Sequence, residues 1–366
     1  MSTIQVINAK HPSSATNNIV LDNIGNAAFA GTAAMASSFL RNRIINGDMR
    51  IDQRNAGASV TASATGANVY TLDRWSYYVT AASKFTIQQN AASATPPSGF
   101  TNYLGVTSSS AYTVGSGDIL VLRHAIEGFN VSDFGWGAAG ARSVTLSFWV
   151  RSSLTGTFGG SLCNNAGDRS YPFSYTISAA NTWEQKSITV TGDTSGTWFT
   201  TNGVGIYVQI SLGTGATYSA TAGAWAGAFY ASSTGATSVV GTNGATFYIT
   251  GVQLEVGSAA TPFERRQYGQ ELALCQRYYS ASTTASRVFF QGYAVSGSGY
   301  PSSPVYFKVS MRASPTVTLT NSDAFGFPST VGTTSISQDA FTESRTSNST
   351  QNSGYFISSW TASAEL

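Results

Sequence analysis

The residues able to do acid-base or metal chemistry are few in this sequence, and their spacing matches no familiar site. Only two histidines occur, His11 and His124, and the two cysteines, Cys163 and Cys275, lie in distant segments. A histidine triad needs a nucleophile and a carboxylate as partners, and metal sites need paired ligands at short spacing. Neither pattern occurs, so we predict no catalytic histidine, no metal site and no cofactor, with both cysteines as free thiols.

Carboxylates leave one catalytic possibility open, because glycoside hydrolysis needs only two well-placed acidic side chains. Six acidic residues fall inside the strand-rich part of the chain: Glu127, Asp133, Asp168, Glu184, Asp193 and Glu255. Each stands near a predicted turn or within ordinary strand polarity, where a surface or turn role is the simpler interpretation. We therefore assign no catalytic residue and keep hydrolysis as the rival hypothesis.

Aromatic rings and amides would suit binding of carbohydrate without catalysis, because rings cover the C–H faces of sugars and amides pair with their hydroxyls. Several such residues lie outside the apparent core positions, in the segment around Asn202, in a long insertion and near the C-terminal end. The candidate sugar contacts are Trp198, Trp225, Tyr230, Tyr300, Phe327 and Tyr355. For each of them, packing in a core or a subunit interface is the alternative.

The composition restricts the classes of partner. Charged residues make up 10% of the chain and the formal net charge is +2, too little for a surface that follows nucleic-acid phosphates. The apolar run from Ala27 to Leu40 is interrupted and shorter than the ~18 residues of a membrane span. Residues 1–20 show no export signal. We expect neither nucleic-acid binding nor membrane insertion, and a surface that adheres through hydrogen bonds and aromatic contacts.

Strands and turns dominate the chain between Arg43 and Phe263. The segment SVTLSFWVRS, residues 143–152, alternates apolar and polar side chains as a half-buried strand does. Similar patterns recur at short intervals, separated by glycine turns and without a long helical pattern, which predicts a β-sandwich of the jelly-roll type. The Ala/Gly/Thr/Ser-rich stretch 213–243 is a long insertion, of the kind that often carries function.

The predicted fold class is all-β, with four parts. An N-terminal arm spans residues 1–42, a jelly roll 43–264, a connecting helix 265–282 and a small C-terminal β domain 283–366. The arm has no pattern for a core of its own, so it either orders against neighbouring chains or is a flexible tail. A C-terminal part of about 80 residues would gain stability from oligomer contacts.

Several motifs resemble a module of bacteriophage tail proteins. RNRIINGDMRIDQRN (41–55) and YTLDRWSYY (70–78) resemble its opening, and FYITGVQLEVGSAATPFERRQYGQELALCQRYYS (247–280) resembles its end. With LRHAIEGFN and SVTLSFWVRSS, the match spans roughly residues 41–280, about two thirds of the chain. The module is similar to jelly-roll carbohydrate-binding modules. The chain thus resembles a phage tail-fibre or receptor-binding protein.

This resemblance implies a homotrimer that is assembled in the host cytoplasm and incorporated into the virion tail. The N-terminal arm would dock to other virion tail proteins, and the distal end would bind a host surface polysaccharide such as lipopolysaccharide or capsule. Residues 281–366 match no motif, and receptor choice is expected there or in the long insertion. The alternatives are a glycan-degrading or deacetylating tailspike enzyme and a purely structural tail component. Tailspike enzymes usually carry a long parallel β-helix repeat, which this sequence lacks.

Three short motif segments are expected to have structural roles. Residues 46–48 (NGD) would turn the chain into the sandwich. Residues 73–75 (DRW) offer an ion pair beside a large apolar anchor. Residues 264–266 (ERR) would tie the sandwich to the connecting helix, for which residues 267–280 are the helical stretch.

Overall fold

The computed structural model describes residues 41–366 and, before them, three short strands. These are β1 (Asn8–Ala9), β2 (Ile19–Leu21) and β3 (Ala27–Phe29), which pair as an antiparallel sheet. The chain divides into two compact units, Met1–Arg41 and Asn42–Leu366. Most of the arm predicted over residues 1–42 lies outside the described residues, so its function stays a prediction.

Two antiparallel six-stranded sheets form a sandwich in the larger unit. In spatial order, the first sheet contains β13 (Glu184–Val190), β10 (Val144–Ser152), β17 (Thr246–Val256), β8 (Leu104–Ser108), β7 (Phe85–Gln89) and β4 (Val60–Thr61). The second sheet contains β12 (Ser170–Ile177), β11 (Gly156–Cys163), β14 (Val204–Thr214), β9 (Ile119–Glu127), β6 (Trp75–Val79) and β5 (Val69–Leu72). The predicted all-β sandwich is confirmed.

The main core lies between these sheets, where the alternation of apolar side chains places it. On β10, Leu146, Phe148 and Val150 are fully buried, as the period of two predicts, while Trp149 on the opposite face is half-buried. The ring of Tyr175 meets the Phe148 ring edge to face at 5.0 Å. Burial of a side chain of this size contributes about 1.5–3 kcal/mol.

The long insertion is ordered and covers part of the second sheet. It contains two short parallel strands, β15 (Ser219–Ala220) and β16 (Ser232–Ser233). Ala231 packs against Ile119 and Val121 on the outer face of β9, and the rings of Tyr218 and Phe229 cover the same cluster. The insertion thereby brings Phe229 over the outer face of the sheet.

The connecting helix, α1 (Tyr268–Gln276), ends earlier than predicted because residues Tyr279–Ala281 form a strand, β18. Cys275 is buried against Ile51, in agreement with the predicted apolar stripe, but Tyr268 is 57% exposed. None of the helices in the described part of the chain is long and apolar enough to cross a membrane.

A smaller sandwich follows the helix. In its first sheet, here called the C-terminal sheet, the long strand β25 (Gln351–Ser363) pairs with β18 and β19 (Val288–Ala294) along one edge and with β22 (Thr316–Phe325) along the other. The second sheet consists of β20 (Gly299–Pro301), β21 (Val305–Tyr306), β23 (Thr333–Ile336) and β24 (Ala340–Thr346). Phenylalanine and tryptophan rings from both sheets fill the space between them.

Residues from the phage-like motifs meet in a buried polar cluster, here called the junction cluster: Arg74, Glu127, Arg277, Tyr278 and Glu365. The buried Arg74 guanidinium lies 3.6 Å from the centre of the Tyr278 ring and pairs with the Glu365 carboxylate. Glu127 accepts hydrogen bonds from the Tyr278 hydroxyl at 2.5 Å and from Arg277 at 2.8 Å. The cluster joins the jelly roll to the smaller sandwich.

The ion pair expected within residues 73–75 is not the one that forms. Arg74 pairs with Glu365, and the Asp73 carboxylate accepts hydrogen bonds from the backbone N–H and the side-chain amide of Gln53, both at 2.7 Å. Trp75 is the buried anchor that the sequence predicts. The correct partner of Arg74 could not be predicted because Glu365 lies almost three hundred residues away, 291 positions along the chain.

The predicted turn at Asn46, Gly47 and Asp48 is present. Asn46 has a left-handed backbone with φ of 58°, and its side chain binds both backbone groups of Ile51. A Cβ at Gly47 would lie 2.2 Å from the carbonyl oxygen of Val252, so only glycine fits there. The turn is therefore locked against the last strand of the first sheet.

A buried histidine next to the junction cluster makes stability depend on pH. The Nε2 atom of His124 lies 3.0 Å from the Ile45 carbonyl oxygen, and burial lowers the pKa of His124 to about 3. In the unfolded chain its pKa is ~6.5. As the pH falls from 6.5 towards 3, only the unfolded state takes up this proton, and the stabilisation is lost by up to ~1.4 kcal/mol per pH unit.

Replacing His124 with glutamine should therefore remove about 2–3 kcal/mol of acid destabilisation between pH 6.5 and 4.5. Asp73 acts in the opposite direction, because burial raises its pKa to about 6 and its contribution is lost as the pH rises through 6. Urea unfolding at pH 4.5 and 7 of the wild type, His124→Gln and Asp73→Asn measures both slopes. Equal slopes in the wild type and His124→Gln would refute this account.

Candidate functional site

A cavity of about 240 Å³ opens on the outer face of the second sheet and is here called the sheet cavity. Its walls come from β6, β9, β11 and β14, from the turn between β11 and β12, and from the long insertion. The residues that matter for its chemistry are Tyr78, Arg123, Cys163, Asn165, Tyr207 and Phe229. At roughly 30 Å³ per water molecule, its volume corresponds to about eight waters, enough for a sugar ring.

The strand alternation explains why these side chains face the cavity. On β9, Leu122 points into the core, so Arg123 points to the outer face, and on β6 the same alternation separates Tyr77 from Tyr78. On β14, Val208 is in the core and Tyr207 lies outside. Because β6, β9 and β14 are neighbours in the sheet, the outward side chains come together.

Arg123 forms the floor of the cavity between two tyrosine rings. Its guanidinium lies 4.6 Å from the centre of the Tyr78 ring and 4.8 Å from that of Tyr207. It donates hydrogen bonds to Oε1 of Gln209 at 2.7 Å and to Oδ1 of Asn68 at 2.9 Å. Because its donors are used internally, Arg123 positions the two rings and leaves their other faces for a ligand.

The polar floor continues across the sheet and excludes a cysteine nucleophile there. The side-chain amide of Gln209 donates to Ser161 Oγ at 3.0 Å and to Cys163 Sγ at 3.2 Å. Burial raises the pKa of the Cys163 thiol to about 12, so the thiol stays protonated and is a poor nucleophile. The floor is thus a fixed hydrogen-bonded surface.

The rim of the cavity carries groups that a ligand can bind. Within the described residues, neither the Tyr78 hydroxyl nor the exposed amide of Asn165 makes a hydrogen bond. Phe229 is half-buried and presents a ring from the insertion. Rings for C–H surfaces, with an amide and a hydroxyl for polar groups, form the combination that recognises a carbohydrate.

The predicted contacts Trp198 and Trp225 lie together at one end of the sandwich, in a cluster with Trp136. The three ring centres are 4.7–5.4 Å apart, and the rings meet edge to face. Trp198 donates its indole N–H to the Ser195 carbonyl and Trp225 donates to that of Thr191. Both rings are half-buried and pack on the core, and their contact with sugar stays a prediction.

The remaining predicted contacts fall in three different environments. Tyr230 is half-buried, and its backbone N–H donates to Ser170 Oγ, next to the residue that reaches the sheet cavity. Tyr300 and Phe327 belong to the small sandwich, where Phe327 is only 5% exposed and its ring meets that of Tyr300. Tyr355 is half-buried on the outer face of the C-terminal sheet. The structure thus does not bring the six predicted residues into one site.

Sequence reasoning missed the residues of the sheet cavity. Tyr78, Arg123 and Tyr207 occupy the outward positions of strands that the period of two predicts, so their orientation was available from the pattern. Their proximity was not, because it depends on the order in which the strands pair. Phe229 lies in the insertion that was singled out, beside the chosen Tyr230.

The acidic residues considered for hydrolysis have structural partners. Asp193 accepts two hydrogen bonds from Arg169, both at 2.7 Å, and Glu184 pairs with Lys186 at 2.6 Å. Glu127 belongs to the junction cluster. The others bind as follows: Asp133 to Arg43, Asp168 to Asn164 and Glu255 to Thr261. None of the described residues that line the sheet cavity is a carboxylate.

Among the described residues, no group of three or more His, Cys, Asp or Glu side chains could hold a metal ion. No protein-family model matches the chain, and no curated protein matches it.

Several solved structures are similar to part of the chain. A putative sugar binding protein from Bacteroides thetaiotaomicron is 12% identical, with a TM-score of 0.33, over 59% of this chain and 100% of its own. The enzymatically active domain of tailspike protein 4 of bacteriophage CBA120 is 11% identical, with a TM-score of 0.32, over 60% of this chain and 22% of its own. A family 11 carbohydrate-binding module of a Clostridium thermocellum cellulosomal cellulase is 11% identical, with a TM-score of 0.27, over 56% and 99%.

This chain therefore spans about a fifth of the tailspike chain, 22% of its length. At these identities and TM-scores the likenesses carry no functional argument, which rests on the residues of the sheet cavity.

Proposed function

We propose that this protein binds glycan through the sheet cavity and does not cleave it. The observation that carries the proposal is the arrangement of Tyr78 and Tyr207 on either side of Arg123, with Phe229 facing them from the insertion. Such rings can stack on a sugar while the free groups at the rim pair with its hydroxyls. The binding surface is held rigid because its floor is hydrogen-bonded across the sheet.

Binding without cleavage is favoured because of where the carboxylates lie. Hydrolysis of a glycosidic bond needs an acid and a second carboxylate about 5–10 Å apart across the substrate. The lining residues named above include none, and the six acidic residues of the sandwich are held by structural partners. The rival hypothesis of a glycan-degrading or deacetylating enzyme has no comparable site to support it.

The biological setting that we propose is a phage tail fibre that attaches the virion to a glycan on the host surface. The motifs that resemble phage tail proteins support it, since their residues build the junction cluster and the locked turn of this fold. In this setting the chain is a homotrimer in the virion tail, docked through its N-terminal arm to other tail proteins. The bound glycan belongs to lipopolysaccharide or capsule.

Removing aromatic rings from the sheet cavity tests the proposed binding surface. We expect Tyr207→Ala combined with Phe229→Ala to weaken glycan binding by about tenfold to a hundredfold, since each lost ring contact is worth about 1–3 kcal/mol. Binding is measured on immobilised lipopolysaccharides and capsular polysaccharides from a panel of bacteria. Circular dichroism of the variant checks that the sandwich is intact.

The matched control is Tyr306→Ala, which removes a 73% exposed tyrosine outside the cavity and should leave the binding unchanged. If the cavity variant binds as well as the control, glycan contact lies elsewhere. The proposal would then be wrong for this cavity.

A further inference from the structure

A second cavity, of about 420 Å³, lies where the jelly roll meets the C-terminal sheet, and is here called the junction cleft. Its volume falls within the ~300–1,000 Å³ range of ligand pockets. The residues used in the argument are Arg54, Arg287, Thr318, Thr320, Ser359 and Thr361. The cleft is separate from the sheet cavity, with which it shares no lining residue.

One wall of the junction cleft is a surface of hydroxyl groups. Thr320 lies opposite Ser359 across the β22–β25 pair, and Thr318 lies opposite Thr361. Within the described residues, neither the Thr318 nor the Thr320 hydroxyl makes a hydrogen bond. Hydroxyls fixed on a sheet at this spacing can donate to and accept from the hydroxyls of a sugar.

The opposite side of the cleft carries positive charge without a lining carboxylate. Arg287 is exposed and makes no ion pair or hydrogen bond within the described residues. Arg54 stacks on the Tyr279 ring at 3.7 Å and pairs with Glu365 at 2.7 Å, while its buried Nε has no hydrogen-bond partner. Arg287 therefore supplies an uncompensated guanidinium that can hold a carboxylate or phosphate.

The outer face of the C-terminal sheet continues from the cleft into an aromatic surface. Tyr355 lies opposite Phe325, with ring centres 6.2 Å apart and planes inclined by only 32°. Phe289, 51% exposed, lies opposite Ile357 in the adjoining row. From Thr361 to Tyr355 the strand extends about 20 Å at ~3.4 Å per residue. An elongated ligand can therefore contact the cleft and the rings together.

We infer that the junction cleft and the adjoining rings form a second binding site, for a saccharide that carries acidic groups. Arg287 would bind a carboxylate or phosphate of the saccharide, the threonine hydroxyls would pair with its sugar hydroxyls, and the Tyr355 and Phe325 rings would stack on the next units. The nearest carboxylate of this face, Asp323, accepts the Tyr355 hydroxyl at 3.1 Å at the end far from Arg287. The charged group of the ligand is thus directed into the cleft.

Titration with matched acidic and neutral oligosaccharides tests this inference. The probes are trigalacturonate with its methyl ester, sialyllactose with lactose, and a hyaluronan tetrasaccharide. We expect at least one acidic probe to bind at least tenfold more tightly than a neutral one, with affinity falling as salt rises from 50 to 500 mM. Isothermal titration calorimetry on the full chain gives the affinities.

Two variants locate the binding. Arg287→Gln should lower the affinity for that acidic probe at least tenfold, and Tyr355→Ala should lower it for the longer probe, while the exposed Lys308→Gln serves as the control of equal charge change. All three positions allow folding to be checked by circular dichroism. If no acidic probe binds, if neutral probes bind equally well, or if Arg287→Gln binds like Lys308→Gln, the inference is wrong.

The outcome is independent of the proposed function at the sheet cavity. The Tyr207→Ala, Phe229→Ala double variant should keep its affinity for the acidic probe, and Arg287→Gln should keep the polysaccharide binding that depends on Tyr207. Loss of both activities in either variant would mean that the two sites are not separate.

Discussion

Replacing Arg74 with alanine is expected to lower the free energy of unfolding by about 3–5 kcal/mol, because it removes one partner of a buried ion pair. The side chains of Arg74 and Glu365 are only 1% and 7% exposed. Without Arg74, the carboxylate keeps Arg54 at 2.7 Å as a partner, which places the expected loss near the lower end of that range. The Tyr278 ring also loses the guanidinium stacked upon it.

Chemical denaturation of the full chain measures this effect. The matched control is Arg142→Ala, whose side chain is 54% exposed and 3.6 Å from Asp133, and whose loss should change stability by no more than about 0.5 kcal/mol. A double variant, Arg74→Met with Glu365→Gln, should recover part of the loss, since it leaves no unpaired charge. A change below 1 kcal/mol in Arg74→Ala would show that the junction cluster does not hold the two sandwiches together.

Replacing Arg345 with alanine should destabilise the smaller sandwich by a similar amount, about 3–5 kcal/mol. Arg345 and Glu343 are fully buried and lie 2.6 Å apart. Arg345 also donates to Ser358 Oγ and to Asn321 Oδ1, each at 2.7 Å, and its guanidinium lies over the Phe356 ring. Its removal leaves these acceptors and a buried carboxylate without a donor.

Hydrogen exchange read by mass spectrometry can localise this effect to the strands of the smaller sandwich, with peptides from β10 and β17 as the internal reference. Arg287→Gln is the control, since it changes an exposed arginine of the same sandwich and should leave exchange unchanged. Rapid exchange confined to residues 288–363 is the expected result. Wild-type protection in Arg345→Ala would contradict the role given to this network.

Much of the fold was predictable because strand alternation is a local property. The stretch 246–256, predicted from its pattern, is β17 without a change of bounds, and β10 buries the face that the pattern predicts. The end of α1 was not predictable in the same way. Tyr278 and Tyr279 leave the helix to stack under Arg74 and Arg54, which are distant in sequence.

The binding surface was harder to predict, for a physical reason. Aromatic content directed attention to Trp198 and Trp225, but their rings pack on each other and on Trp136 once the ends of several strands meet. Tyr78 and Tyr207 come together only because β9 pairs with β6 on one side and with β14 on the other. Strand order is a non-local property that no short motif records.

The most direct test of the central claim is to incubate the purified chain with an array of bacterial lipopolysaccharides and capsular polysaccharides, and to measure both retention and release of new reducing ends or acetate. We predict retention on at least one polysaccharide, no release of products, and at least tenfold weaker retention of the Tyr207→Ala, Phe229→Ala variant. Product release, or retention that is the same in the wild type and the variant, would contradict glycan binding without cleavage through the sheet cavity.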